Sequence, residues 1–152
     1  MLAAFDFGLT NTDVVISKSD ENQFHSFPTM EINDEFMSHI FDSINIKVGQ
    51  VSQIAVTGGK SSDLNDSFYD IPIKKVNEVD AIGSGAIALY DIETRPFVAV
   101  SAGTGTACVY FDGKNFNHLG GISVGGGTFQ GLLKHLIMTK DENDIEKLAA
   151  SG

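Results

Sequence analysis

The chain opens on a short apolar run, Leu2-Ala3-Ala4-Phe5, that ends at Asp6 and a turn-like stretch, Phe7-Gly8-Leu9-Thr10-Asn11-Thr12. So short a run suits a buried strand better than a helix. Val14-Val15-Ile16 predicts a second strand, Ser19-Asp20-Glu21-Asn22 a polar turn, and Phe24 to Phe27 a third strand that stops before Pro28. The period then changes. Phe36, Ile40 and Ile44, with Met37 and Phe41 beside them, mark the apolar face of a helix. Asn33 or Asp34 caps it, Glu35 lies in its first turn, and Gly49 falls after its end. Ile54-Ala55-Val56 predicts a strand that stops at Thr57-Gly58-Gly59; residues 60–70 read as a polar loop, and Ile71 to Val76 as another short strand. Asn77-Glu78-Val79-Asp80 starts a second helix with Ile82, Ala86 and Leu89 inward, where Gly83 and Gly85 allow close backbone packing.

Thr94-Arg95-Pro96 closes that unit, and the order then restarts. Phe97 to Val100 predicts a strand, Ser101 to Thr106 a tight turn of small residues, and Ala107 to Phe111 a strand that turns at Asp112-Gly113. The chain returns through Phe116 and Leu119 to Gly125-Gly126-Gly127-Thr128, from which Phe129 to Met138 reads as a helix; another is expected over Asp141 to Ala150. Asp6 to Thr10 and Ser101 to Thr106 hold equivalent places, each between a first strand and its hairpin partner, which suggests a structural duplication. The second copy lacks the later elements of the first, so a further segment or another chain is expected to cover it.

Alone, Gly103 and Gly105 read as hairpin glycines. Set beside Gly125 to Gly127 at the start of a helix, they read as two turns arranged for a phosphate, because N–H groups at a helix N-terminus attract anions. The formal charge of −10 argues against nucleic acid and anionic membranes as partners, but not against phosphates held by backbone N–H groups and a metal. Cys108, the single cysteine, excludes an intrachain disulfide and reads as a small core residue in a reducing compartment. No apolar run approaches the ~20 residues of a membrane span, and no basic segment precedes the apolar start. The cytoplasm is the expected location. His25, His39 and His135 lack metal-ligand spacing and read as surface or rim residues, while Lys60, Lys74 and Lys75 read as solvated.

These residues carry a resemblance. From Asp6-Phe-Gly-Leu-Thr through Val56-Thr-Gly-Gly, Glu78-Val-Asp-Ala and Gly103-Thr-Gly-Thr to Gly125-Gly-Gly-Thr-Phe-Gln-Gly, the chain resembles the type II (Fumble-type) pantothenate kinases of the acetate and sugar kinase/heat-shock-70/actin superfamily. The most specific part is GTGTACVYFDG followed by LGGISVGGGTFQGL. The resemblance implies an α/β fold, with a first ribonuclease-H-like lobe over residues 1–95 and the beginning of a second, incomplete lobe over 96–152. It implies ATP between the lobes, Mg²⁺ on the phosphates, transfer to the primary hydroxyl of pantothenate as the opening of coenzyme A synthesis, and a homodimer. By position, the first phosphate loop runs from Asp6 to Asp13 and includes Gly8, Thr10 and Asn11, with Asp6 near the metal. Gly103, Thr104 and Gly105 form the second loop, and Gly126, Gly127, Thr128 and Gln130 add nucleotide contacts. His118 and Gly120 fall on the acceptor side. Glu78, which by itself would read as a charge complementing the helix dipole, matches the catalytic base.

Three positions depart from the family pattern: Leu9 replaces a glycine, Asp13 a phosphate-binding lysine, and His118 an arginine. They keep two alternatives open. One is a non-catalytic nucleotide-binding or regulatory module; the other is a kinase of the same superfamily with a different acceptor. Because the portion that carries adenine contacts in the family is missing here, weak ATP binding and self-association are expected of this chain by itself.

Overall fold

A computed structural model describes residues 1–19, 21–59, 61–136, 147, 150 and 151. It divides into two units, Met1–Glu93 and Thr94–Gly152.

In the first unit, β1 (Leu2–Phe7) buries Ala3, Phe5 and Phe7, and β2 (Asn11–Lys18) buries Thr12, Val14 and Ile16, with the intervening side chains turned to the other face. β3 (Glu21–Pro28) pairs with β2 at one edge, where a terminal proline is tolerated. α1 (Asp34–Ser43) is capped by Asn33, whose side chain accepts the Phe36 N–H at 2.9 Å, and buries Phe36, Met37, Ile40 and Phe41. Ile44, expected on that face, is the residue after the helix and is half-buried. Phe41 meets Phe5 edge-on at 5.5 Å and stacks with Phe68 at 5.9 Å, so the helix and the sheet share one aromatic core. β4 (Gln53–Thr57), β5 (Ser67–Phe68) and β6 (Ile71–Lys75) complete a six-stranded sheet in the order β3-β2-β1-β4-β6-β5, with β1, β4 and β6 mutually parallel. α2 (Glu78–Tyr90) follows, with the Asn77 side chain accepting the Val79 N–H at 2.9 Å.

Several expectations change. The stretch read as a loop over 60–70 contains a 3₁₀ turn, Ser61–Asp63, and strand β5, which hairpins onto β6 through Tyr69 and Asp70 with φ of 45° and 65°. Polar residues hid a strand whose single buried side chain is Phe68. Lys75 is not simply solvated: its Nζ donates to the carbonyls of Leu64 at 2.7 Å and Ser62 at 3.2 Å and pairs with Asp66 at 3.3 Å, tying this segment to β6. Lys60 lies outside the described residues. Leu89, expected inward, is exposed, and Gly83 is the one buried residue of α2.

The second unit is an antiparallel meander of β7 (Phe97–Ala102), β8 (Thr106–Phe111) and β9 (Phe116–Ile122), followed by α3 (Gly126–Leu136). Among its described residues, the buried apolar ones are Val109 and Phe111. Phe111 packs against Phe97 at 5.4 Å and Phe116 at 4.5 Å, and the Arg95 guanidinium lies over both Phe97 and Phe111. Asp112 turns the hairpin by accepting the N–H groups of Lys114 and Asn115, both at 2.7 Å; these bonds hold its carboxyl below the usual carboxylate range. Cys108 is half-buried in β8. Gly126 and Gly127 belong to α3 itself, which starts at Gly126 rather than Phe129; its expected end at Met138 lies outside the described residues. So does the helix expected over Asp141–Ala150, apart from Lys147 and Ala150. Both units open on a three-stranded antiparallel meander, β1-β2-β3 and β7-β8-β9, as a duplication requires. Among the described residues, no helix is long and apolar enough to cross a membrane.

Candidate functional site

Parallel strands end on the same side of a sheet, and in open α/β sheets ligands collect beyond those carboxyl ends. Asp6 lies near the end of β1 and Thr57 at the end of β4, directly paired in register. β6 leads through Val76 and Asn77 into Glu78, the first residue of α2. Asp6 is exposed by surface area, yet the surrounding protein desolvates it enough to raise its carboxyl above the ordinary value. The charges of Glu78 and then Asp13 raise it further. Asp13 is the cross-strand partner of Asp6, an unfavourable placement for two like charges. The Thr57 hydroxyl is buried and without a hydrogen-bond partner among the described residues.

A hard divalent cation fits these groups. Among the described residues no group of three or more His, Cys, Asp or Glu converges as a protein-only metal cage. Mg²⁺, however, is ordinarily held by one or two carboxylates, waters and substrate phosphates. A crowded carboxylate beside an orphaned hydroxyl suits that mode of binding.

The crowding has a testable consequence. With its folded-state pKa raised, Asp6 binds more protons in the folded than in the unfolded chain, so its contribution falls as pH rises through that window. Without divalent cations, Asp6→Asn is expected to raise the melting temperature at neutral pH, and the gain should shrink as the pH falls to about 4, where the unfolded carboxylate protonates. Thermal melts of both proteins across that range check it; a gain that does not vary with pH would place Asp6 in an ordinary solvated setting.

The turn between β1 and β2 carries Gly8, Leu9 and Thr10 and leads to Asn11, the first residue of β2. A Cβ on Gly8 would stand 2.6 Å from the Asn11 carbonyl oxygen, so the turn closes only around glycine. Leu9, where the family pattern has glycine, is 80% exposed and requires no such approach. Gly58, which follows the end of β4, backs onto β1: at φ 93° its Cβ would stand 2.4 Å from the Phe7 carbonyl oxygen. Its contact partner lies about fifty residues away, so local patterning gave no warning.

In the second unit, the β7–β8 turn and the start of α3 are joined through their backbones. A Cβ on Gly125 would stand 2.4 Å from the Gly105 carbonyl oxygen and 2.6 Å from that of Gly103, and one on Gly127 would press on the Thr104 Cα at 3.1 Å. The Gly127 N–H already donates to the Gly103 carbonyl at 3.1 Å. The Thr128 hydroxyl reaches the carbonyls of Thr104 at 2.6 Å and Ser123 at 3.0 Å. Its single proton serves these acceptors, so the Thr128 side chain braces the turn against the start of α3. A Cβ on Gly126 would meet only ordinary contact, 3.6 Å from the Gly103 carbonyl oxygen, and Gln130 is exposed on the first turns of α3.

His118 and Gly120 flank a bulge in β9. Val109 pairs with His118 and Cys108 with Gly120, which leaves Leu119 unpaired between them. A bulge re-aims neighbouring side chains. His118 is exposed, as are His39 and His135; His25 is half-buried in β3, with its Nε2 lacking a partner among the described residues. The structure thus groups Asp6, Asp13 and Glu78 in the first unit, and Gly103, Thr104, Gly105, Gly127 and Thr128 in the second.

The Fumble family model matches residues 88–152. The type II pantothenate kinase of Staphylococcus epidermidis is 32% identical over 106 residues, covering 68% of this chain and 40% of that protein. The type II pantothenate kinase of Staphylococcus aureus is 26% identical over 155 residues, covering 100% of this chain and 55% of its own length. The chain therefore spans about half the length of the curated relatives it matches. Component A of the (R)-2-hydroxyglutaryl-CoA dehydratase of Acidaminococcus fermentans superposes with a TM-score of 0.71 at 15% identity, covering 99% of this chain and 59% of that one. At that identity the likeness is one of fold: an α/β architecture of the ribonuclease-H-like kind.

Proposed function

The chain belongs to the Fumble, or type II pantothenate kinase, family, and from that premise we propose that the full-length protein transfers the γ-phosphoryl group of ATP to the primary hydroxyl of pantothenate. The observation that carries this reading is the grouping of Glu78 and Asp6 at the carboxyl ends of β1, β4 and β6, close enough that the Glu78 charge raises the Asp6 carboxyl. Phosphoryl transfer asks a protein mainly for positioning and charge stabilisation. In this reading Glu78 accepts the proton of the acceptor hydroxyl as its oxygen bonds to phosphorus, while the bond from phosphorus to the bridging oxygen breaks and ADP leaves. Asp6 holds Mg²⁺, which when bound neutralises phosphate charge. The turn from Gly8 to Asn11 holds phosphate oxygens, and the family resemblance assigns nucleotide contacts to Gly103, Thr104, Gly105, Gly126, Gly127, Thr128 and Gln130 of the second unit. His118 and Gly120 line the acceptor side, and a homodimer in the cytoplasm is the expected form.

One observation favours a second reading. Asp13 opposes Asp6 across the strand pair and puts a negative charge where the family pattern carries a phosphate-binding lysine. That suits a non-catalytic nucleotide-binding module, or a kinase whose acceptor is not pantothenate. A coupled ADP-release assay on the full-length protein, with pantothenate and then a panel of small hydroxylated acceptors, separates the three. Pantothenate-dependent release is expected; release with another acceptor alone, or none with any, would replace the first reading by one of the others.

A further inference from the structure

Thr29 follows the last residue of β3 and is half-buried. It makes two connections to the turn that joins β1 and β2, and a third to the start of β2. Its N–H donates to the Thr10 carbonyl at 2.9 Å, its Oγ1 donates to the Gly8 carbonyl at 2.8 Å, and the same Oγ1 lies 3.0 Å from the Thr12 Oγ1. The direction of the last bond follows from proton counting. A carbonyl can only accept, so the single Thr29 hydroxyl proton goes to Gly8, and Thr12 must donate to Thr29. Thr12 is fully buried, and this bond gives its hydroxyl the partner that burial demands.

We propose that Thr29 is a positioning residue for the first phosphate turn, acting through the Gly8 carbonyl and Thr12 without touching the nucleotide. This rests on the kinase reading above. A backbone carbonyl turned toward a phosphate would repel it, whereas one held by a hydroxyl proton stays committed to the protein. A side chain at Gly8 would press on the Asn11 carbonyl oxygen, and Thr29 holds the Gly8 carbonyl in place. The relay Thr12 → Thr29 → Gly8 spans β2, the end of β3 and the turn, so loss of its middle member leaves both a buried hydroxyl and a carbonyl unpaired.

The test compares Thr29→Val, which keeps the shape and removes the hydroxyl, with Thr29→Ser, which restores it, and Thr29→Ala as a second deletion, all in the full-length protein. Two readouts are taken: amide hydrogen exchange over residues 8–12 without nucleotide, and the KM for Mg·ATP alongside kcat. In the valine and alanine variants exchange is expected to accelerate by roughly tenfold, and the KM for ATP to rise by a similar factor with kcat little changed; serine should return both close to wild type. Unchanged exchange and unchanged KM in a folded valine variant would overturn the role of Thr29 and leave the kinase reading intact. Failure of the serine variant to recover would also overturn it, since the methyl rather than the hydroxyl would then matter. If the wild-type protein itself does not bind ATP, the kinase reading falls and takes this role with it.

Discussion

In the full-length protein, Glu78→Gln is expected to lower kcat by roughly 10²–10⁴-fold while the affinity for Mg·ATP stays within about twofold. Glutamine keeps the size of the side chain and its place as the first residue of α2, so the Asn77 cap and the helix should survive. What it removes is a carboxylate able to take a proton. Asp80, the other acid in the first turn of α2, lies about 200° around the helix and cannot replace it without moving the helix. The same substitution withdraws one of the charges that raise Asp6, so it should lower the Asp6 pKa in the free protein. A base and a mere helix-start charge thus differ in outcome. Near-full turnover in the glutamine variant would reduce Glu78 to a residue that complements the helix dipole.

Gly58→Ala is expected to destabilise the first unit more than any exposed substitution. Left-handed φ at a residue with a side chain costs on the order of 1–3 kcal/mol. The new methyl would also press on the nitrogen, carbon and oxygen of Phe7, backbone atoms that cannot swing aside; overpacking of that kind adds about 1–3 kcal/mol. For a unit of this size the melting temperature should fall by roughly 10 °C or more. Gly59→Ala is the control, because a Cβ there has no neighbour within 4 Å and no left-handed φ. The comparison bears on function as well as stability, since Phe7 directly follows Asp6. Equal melting temperatures for the two variants would mean that the end of β4 does not brace the end of β1.

Local patterning made much of this architecture legible. The alternation in β1 and β2, the fourfold spacing of α1 with its Asn33 cap, and the Asp112 turn are decided by residues within a few positions of each other. The glycine turns were legible for a related reason: small residues between two strands and before a helix leave few other uses. Contacts between distant segments were not legible. Thr29 meets Gly8 across 21 positions, and Lys75 holds the carbonyls of Ser62 and Leu64 through a tertiary path no periodicity encodes. β5 was missed because a two-residue strand with one buried side chain has no period to read. Leu89 was misplaced because helical spacing gives a face but not whether anything covers it. Thr128 was legible as part of the glycine cluster, whereas the inward use of its hydroxyl depends on the carbonyls of Thr104 and Ser123.

The candidate base, the candidate metal carboxylate and the glycine turns matter together only if the protein phosphorylates an acceptor. Mass spectrometry of pantothenate after incubation with the full-length protein, ATP and Mg²⁺ reads that step directly. Pantothenate is expected to gain one phosphoryl group in step with ADP formation, and the Glu78→Gln protein to yield almost none. Pantothenate recovered unmodified, whether or not ATP is consumed, would contradict that expectation.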